Sequence, residues 1–565
     1  MMGELYGYPF QSLFLMPLPY LLLCGLLALS SCNHYGTIRE IQPKFRPVLG
    51  TTGALAAVHH KLIKALTEDS KDPQAHLSDL LTATEAAATE IKRNPDDYVA
   101  RDAYNFALAR VFTKLRNSNI KAWDKPLTIF CPTGAWELTG TTPITKEPIL
   151  GRMEFIPADQ IEVGGTYTKN RLTKAGLGAP LVAVLKDSAD LLQKDKFAQG
   201  KHIYYGVTAV ARFEGRRCVV TFEDPLDVED TTLGGRSYPL AADYTAPLAM
   251  MLARENPKKL EMNRVFRPAK YAETARLARL QPYDPDKIPV ICVHGLMDSP
   301  ATWAPLINNL RADPAIRARY QFWFYSYPSG YPYPHSAAIF RKQLDAITQQ
   351  HPGHKDAILI GHSMGGCISR LMITDSGDQV WRDIFGKSPA DTQLTPETRA
   401  MFADALIFKK RQDVSRVIFI AAPLRGSDIA SGGFARFASS LVKSPAALLK
   451  AGSEALQSVT ATADSLNLKR MPNSVDTMSP KNRFVQIINK IEPATDIPYH
   501  VIVGDRGKGG NPDRTKPIKG DGFVPYWSSH MEGAKSELIV PSNHSAHQNP
   551  QAIAEVKRIL KANPN

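Results

Sequence analysis

The sequence predicts an α/β protein: a mostly parallel sheet in the C-terminal half, preceded by a helical segment and a β-rich segment. Three observations carry this. From Pro282 onward, apolar runs of strand length alternate with helix-length amphipathic stretches, the rhythm of a parallel sheet with crossover helices. Upstream, residues 33–125 show helical periodicity and residues 126–281 show short, partly alternating runs, without that rhythm. Finally, the apolar run Ala357-Ile358-Leu359-Ile360 ends in Gly361-His362-Ser363-Met364-Gly365, after which Cys367, Ile368, Leu371 and Met372 recur at helical spacing. In a strand–turn–helix setting, glycines relieve a turn too tight for a Cβ, and the serine hydroxyl is lifted to the start of a helix.

At 565 residues the chain has room for two or three domains. Its 44% hydrophobic and 22% charged content provides ample core and excludes an intrinsically disordered chain. The net charge of +13, with a pI near 9.2, reads as a solvated basic surface, an anionic partner surface such as lipid head groups being the alternative. No dense Lys/Arg block and no nucleic-acid motif is present, so nucleic acid is not an expected partner. The cysteines are scattered, with neither metal-ligand spacing nor a disulfide framework. Cys292, in an apolar strand, and Cys367, on the helix after the serine turn, read as small buried hydrophobes.

The amino terminus is apolar from Ser12 to Leu29, interrupted by Pro17, Pro19 and Gly25, and leads into Leu29-Ser30-Ser31-Cys32. That tetrapeptide resembles the lipobox of bacterial lipoproteins. The resemblance implies a signal peptide over residues 1–32, lipidation of Cys32, and a membrane-anchored protein of the cell envelope with no need of a spanning helix. One departure is that the first eleven residues contain Glu4 and no Lys or Arg, so an uncleaved apolar anchor stays open.

Residues 34–52, with Pro43 and Pro47, read as a polar tether. Helices are predicted over 54–66, with Leu55, Val58, Leu62 and Leu66 on one face, and over 77–92. Asn94-Pro95-Asp96-Asp97 caps a longer helix through Tyr104, Leu108 and Val111 to about Leu115. Together they read as a small helical bundle packed on its neighbour. Strands follow over 127–130, 152–156, 208–213 and 218–222, in a β-rich accessory segment able to lend edge strands to the C-terminal sheet. The loop Gly176-Leu177-Gly178-Ala179-Pro180 lacks the strand-to-helix crossover of a phosphate cradle.

In the C-terminal half, residues 282–565, strands are predicted at 288–293, 321–325, 358–360, 414–420, 499–503 and 538–540. Helices are predicted at 303–310, 337–350, 368–374 and 552–560. Two insertions, 377–412 and 429–497, break the alternation and read as lids or caps, the second with an apolar helical stretch from Phe434 to Leu449. The run from Tyr325 to Pro334, dense in tyrosine and proline, reads either as the lining of an apolar pocket or rim or as a stiff loop whose rings pack locally.

Acyl transfer by a serine needs a nucleophile, a base, an acid that orients the base, and N–H donors for the oxyanion. Ser363 is the candidate nucleophile, and Met364, directly after it, offers one N–H. Val293-His294-Gly295-Leu296 ends an earlier strand and offers the N–H of Leu296. Downstream, in the order Ser, acid, His, stand Asp521 in Gly520-Asp521-Gly522-Phe523-Val524-Pro525 and His544 in Ser542-Asn543-His544-Ser545. Asp505 is a rival acid and His547 a rival base.

With these residues in place, the chain from Pro289 to Leu560 resembles the lipase and esterase branch of the α/β-hydrolase superfamily, and residues 33–281 resemble accessory regions of predicted bacterial lipoprotein hydrolases, a similarity that implies no activity for them. His294 and Gly295 match its oxyanion turn, Gly361, His362, Ser363 and Gly365 its serine turn, and Asp521 and His544 its acid and histidine turns. Ala422-Pro423-Leu424-Arg425-Gly426-Ser427 is similar to a site-wall segment of lipases. Asn543 stands where glycine is common, and asparagine tolerates positive φ. The resemblance implies hydrolysis of carboxylic esters, of acyl lipids or other apolar esters, through an acyl-enzyme, with no metal and no organic cofactor. Acyl transfer, thioester or amide cleavage on the same residues, and a non-catalytic envelope scaffold, are the alternatives.

Overall fold

The computed structural model describes residues 34–67, 72–120, 122–123, 125–131, 134–141, 150–186, 189–200, 202–427, 446–458, 472–507 and 520–563. The apolar stretch Ser12 to Leu29 and Cys32 lie outside them, as do most of the Phe434–Leu449 stretch and residues 459–471. Among the described residues, no helix is long and apolar enough to cross a membrane.

Helices α1 (Gly53–Thr67), α2 (Pro73–Arg93) and α3 (Tyr98–Asn117) form where periodicity places them. The Asp97 carboxylate accepts from Val99 N and Ala100 N at 2.9 and 3.0 Å, satisfying donors that the first turn of α3 leaves free. In α1 the buried stripe runs through Val58, Leu62 and Ala65, and Leu66, expected on that face, falls one position past it and is exposed. The three helices pack on one another as a small bundle set against its neighbour. Their apolar faces share one core with a six-stranded sheet: β1 (Leu127–Cys131), β2 (Gly134–Thr141), β3 (Met153–Pro157), β4 (Ala179–Leu185), β5 (Ile203–Glu214) and β6 (Arg217–Glu223). Its order is β1-β2-β6-β5-β4-β3.

One side chain closes a gap in this sheet. β4 pairs with β5 only as far as Ala179↔Ala209, so Ala211, further along β5, has no strand on that side. The Tyr104 hydroxyl of α3 takes its place, donating to Ala211 O at 2.7 Å and accepting from Ala211 N at 2.6 Å. The stretch read as a free tether is partly docked: Thr37–Glu40 pairs antiparallel with Ile161–Gly164.

The second sheet has seven strands: β7 (Arg276–Arg279), β8 (Ile288–Val293), β9 (Tyr320–Ser326), β10 (Ala357–His362), β11 (Val414–Ile420), β12 (Tyr499–Asp505) and β13 (Ser536–Pro541). They lie in the order β7-β9-β8-β10-β11-β12-β13, all parallel except β7, which runs antiparallel to β9. The accessory segment thus contributes an edge strand, β7, while keeping a sheet of its own. Successive residues of a strand face opposite sides. Ile291, Val293, Leu359, Val417 and Phe419 join one core with α6 (Tyr333–Gln350) and α7 (Met364–Arg370). Val290, Cys292, Ile358, Ile360 and Ile418 join the other with α5 (Ala304–Arg311) and α12 (Pro550–Lys561). Covering both faces lets these strands read as continuous apolar runs. This half has the α/β-hydrolase fold expected of it.

Several elements differ from expectation. α7 runs from Met364 to Arg370 rather than 368–374, because the turn at Ser363 launches it at once. The first insertion folds against the sheet: α8 (Gln379–Phe385) and α9 (Pro396–Leu406) put Val380, Trp381 and Leu406 into the core shared with α6. In the second, α10 (Ala446–Ser458) and α11 (Arg483–Ile488) are described, and Phe484, Val485 and Ile488 are buried in the same core. The rings of Tyr325, Tyr327, Tyr331 and Tyr333 are all buried: Tyr325 stacks on Tyr327 and Phe340, Tyr327 on His294, and Tyr333 packs edge-on against Phe484 of the second insertion. Helix α4 (Ala246–Glu255) and the residues around it join the two units, with Asn308 of α5 donating to the Thr245 hydroxyl at 2.9 Å.

Tyr104→Phe keeps the ring and strands both buried backbone groups of Ala211. An unsatisfied buried polar group costs about 1–3 kcal/mol, so the apparent Tm in a thermal scan of the full chain should fall by about 2–6 °C.

Candidate active site

The site is built where β8, β10, β12 and β13 end, the carboxyl edge at which an open parallel sheet presents its loops. Ser363 follows β10 with φ 54° and ψ −127°, a conformation L-residues rarely hold. It is pinned by its neighbours: Ser363 N donates to Ile420 O at 3.0 Å, and Gly366 N donates to Ser363 O at 2.9 Å.

The flanking glycines are required by close approach. A Cβ on Gly361 would lie 2.6 Å from Gly365 O, and one on Gly366 2.4 Å from the Ala422 Cβ. On Gly365 it would lie 2.1 Å from Val293 O. Gly295 brings the turn after β8 against the serine, since a Cβ there would lie 2.9 Å from the Ser363 Cβ. Leu296 follows Gly295 directly in that turn, and Met364, as the first residue of α7, has an N–H without an intrahelical partner.

His544 lies beyond β13 with its Nε2 2.8 Å from Ser363 Oγ and its Nδ1 2.7 Å from Asp521 Oδ2. A carboxylate only accepts, so Nδ1 carries the proton and Nε2 offers its lone pair to the serine O–H. Asp521 is almost wholly buried, and its other oxygen accepts from Phe523 N at 2.8 Å and Val524 N at 2.7 Å. Gly520 and Gly522, at φ 60° and 96°, make this tight turn possible. Ser363, Asp521 and His544 are thus brought together in one hydrogen-bonded chain.

The rivals go elsewhere. Asp505 accepts from Gly507 N at 2.9 Å, and its carbonyl receives Ser542 N at 2.9 Å, which ties down the start of the histidine turn. His547 is buried between Trp303 and His362, with ring centroids 5.0 and 4.0 Å away, and burial pushes its pKa well below the usual imidazole value. Asn543 does not take a positive φ; its side chain instead accepts from Ser545 N at 3.0 Å in an Asx turn.

The supporting histidines have separate tasks. His294 is fully buried, and burial pulls its pKa down to about 4. As a neutral ring it donates from Nδ1 to Gly295 O at 2.9 Å and accepts at Nε2 from Tyr327 N at 3.3 Å, while the Tyr327 hydroxyl donates to His294 O at 2.7 Å. His362 donates from Nε2 to the carbonyl of His544 at 2.7 Å, so the residue before the serine holds the backbone of the residue whose ring meets it.

Three contributors were missed from sequence. Tyr327, in the tyrosine-rich run, braces the oxyanion turn, and Ser329 Oγ accepts from Met297 N at 3.2 Å. Asp298 lies 3.6 Å from His362 Nδ1. Its position two residues beyond Leu296 was the available signal. The 422–427 segment is laced to the residues after Asp521: Arg425 Nη1 donates to Trp527 O at 2.9 Å and Ser529 Oγ to Ala422 O at 3.1 Å. Burial raises the Cys292 and Cys367 thiols, the latter to about 12, so neither is a reactive thiolate.

Residues 290–556 match the model of the alpha/beta hydrolase family. No curated protein matches the chain. Among solved structures, the chain is similar to the mature lipase BlEst2 of Bacillus licheniformis, at 17% identity and a TM-score of 0.29, over 49% of this chain and 93% of that one. It is also similar to lipase 1 of Pelosinus fermentans, at 14% identity and a TM-score of 0.29, over 49% of this chain and 98% of that one. A third is the metagenomic carboxyl esterase MGS0156, at 13% identity and a TM-score of 0.27, over 49% of this chain and 76% of that one.

Gly365→Ala forces a Cβ into the Val293 carbonyl, and overpacking of this kind costs about 1–3 kcal/mol or more. The thermal midpoint of the full chain should fall accordingly, whereas Gly200→Ala, with nothing within 4 Å of the new Cβ, should leave it unchanged.

Proposed function

We propose that the C-terminal half of this chain, an α/β-hydrolase domain, is a serine hydrolase of carboxylic esters that works through an acyl-enzyme. The observation that carries this is the Asp521–His544–Ser363 chain, with both hydrogen bonds at 2.7–2.8 Å and the base in the tautomer the reaction needs. Ser363 Oγ bonds to the acyl carbon as its proton passes to His544 Nε2, and Asp521 steadies the imidazolium. The oxyanion takes the N–H groups of Leu296 and Met364. His544 then gives its proton to the leaving alcohol. Water, deprotonated by His544, attacks the acyl carbon next, releasing the acid and restoring Ser363.

The substrate class we infer is acyl lipids or similarly apolar esters. Supporting it, Met297 on the turn after β8 and Phe523 on the acid turn, 43% and 50% exposed, leave apolar surface open on two of the turns that build the site. The Phe523 ring lies 5.2 Å from that of His544. We place the protein in the bacterial cell envelope, on the extracytoplasmic side, held to a membrane by acyl chains on Cys32.

Ser363→Ala should lower kcat on an activated ester such as a p-nitrophenyl acyl ester by about 10^4–10^6-fold and abolish labelling by a fluorophosphonate probe. Retained labelling or turnover would refute the assignment. Cys32→Ala should move the protein from the membrane to the soluble fraction after cell fractionation; unchanged membrane retention would count against the lipid anchor.

A further inference from the structure

Behind the candidate active site lies a second cluster that the hydrolytic reaction does not use. Asp298, His362 and His547 each present one donor atom, and the three lie within 4.8 Å of one another. They come from the three segments that carry the catalytic groups: Asp298 two residues after Leu296, His362 directly before Ser363, and His547 three residues after His544. Both histidines are at least nine-tenths buried, with 5% and 2% of their surface exposed.

The hydrogen bonding around the cluster leaves the inward atoms bare. His362 spends its Nε2–H on the carbonyl of His544 at 2.7 Å, and its Nδ1 has no hydrogen-bond partner. As a neutral ring it turns a lone pair toward the Asp298 carboxylate 3.6 Å away, an arrangement of two acceptors that needs something positive between them. Asp298 Oδ1 accepts from Ser299 N at 2.8 Å and Oδ2 from the Thr302 hydroxyl at 3.1 Å, which fixes the carboxylate and leaves further lone pairs for a cation. The buried Nδ1 of His547 makes no hydrogen bond of ordinary length, although its ring also faces the Thr302 backbone, and its Nε2 lies 3.2 Å from the Gln548 side-chain amide. With the amide oxygen turned toward it, that contact becomes Nε2–H···Oε1, and Nδ1 is a lone pair like that of His362.

We propose that Asp298, His362 and His547 bind one divalent cation of borderline character, Zn²⁺ being the best match, as a two-histidine, one-carboxylate site. Two observations support the choice beyond the residue types. Donors on a tetrahedral Zn²⁺ at about 2.0–2.1 Å stand about 3.4 Å apart, close to the 3.6 Å between Asp298 and His362. A metal-bound histidine characteristically donates its other ring N–H to a backbone carbonyl or carboxylate, and His362 does so to His544. The cation is structural. It ties the turn after β8, the serine turn and the histidine turn to one point, and through His362 it holds the backbone of His544.

The test is a titration of the tag-free full chain with Zn²⁺ by calorimetry and with Co²⁺ by visible absorption. Expected are one equivalent bound, a ligand-field band of a low-coordinate nitrogen–oxygen site, and a rise in thermal midpoint that a chelator reverses. Asp298→Asn and His547→Gln should each abolish the stoichiometric binding, while His202→Gln, on the accessory unit, retains it. Absence of stoichiometric binding by the wild-type chain overturns the proposal without reference to any variant, and so does binding that persists in both site variants. Ser363→Ala should bind the metal as the wild type does, so failure of this site and failure of the hydrolase assignment are separately visible.

Discussion

Where a Cβ on residue 365 would stand, the carbonyl oxygen of Val293 lies 2.1 Å away, and the arrangement of the C-terminal half depends on that approach. Only a residue without a side chain lets α7 start directly against the end of β8. Once it does, Ser363 must turn through a positive φ, and the turn after β8 arrives beside the serine. The strain is local and is held by backbone hydrogen bonds to β11 and within the first turn of α7. Gly361 and Gly366 extend the same condition to the elbow's own backbone and to Ala422.

The remaining groups are placed by polar contacts made mostly to backbone. Tyr327 holds His294, His294 closes on Gly295, and His362 holds the carbonyl of His544. Ser529 and Arg425 lace the 422–427 segment to the residues after Asp521, and the elbow helix is anchored from below by Arg370, which donates to Leu424 O at 3.1 Å and Ile488 O at 2.9 Å. Each bond contributes little net stability by itself, but leaving a buried partner unmade is costly. The network therefore restricts the loops to one arrangement, which is what positioning within tenths of an ångström requires. The second insertion belongs to this support through Ile488, not only to a cover over the sheet.

The accessory half has its own sheet and core, and it meets the hydrolase half through an edge strand and through polar contacts. Lys287 of the C-terminal half donates to Leu226 O at 2.9 Å, and Arg317 pairs with Glu229 at 2.5 Å. Near the described amino-terminal end, the Tyr35 hydroxyl donates to Glu261, whose neighbourhood includes Ser299 on the turn that carries Asp298. The amino-terminal segment is thereby physically continuous with the edge of the candidate site.

Local pattern alone was enough to determine the strand–helix alternation, the helix capped by Asp97, the serine turn, and the order of serine, acid and base, because each rests on neighbours within a few residues. Position at strand ends, chain order and the resemblance favoured Asp521 over Asp505 and His544 over His547, but their meeting was not legible, since it joins residues 23 and 181 positions apart. The same limit explains the misses. Leu66, the docked strand Thr37–Glu40, the burial of the tyrosine run and the folding of the first insertion onto the core are decided by partners distant in the chain. The cluster of Asp298, His362 and His547 shows it most plainly: no spacing in the sequence marks it, because a strand end and two separate turns supply its members and the sheet alone brings them to one point.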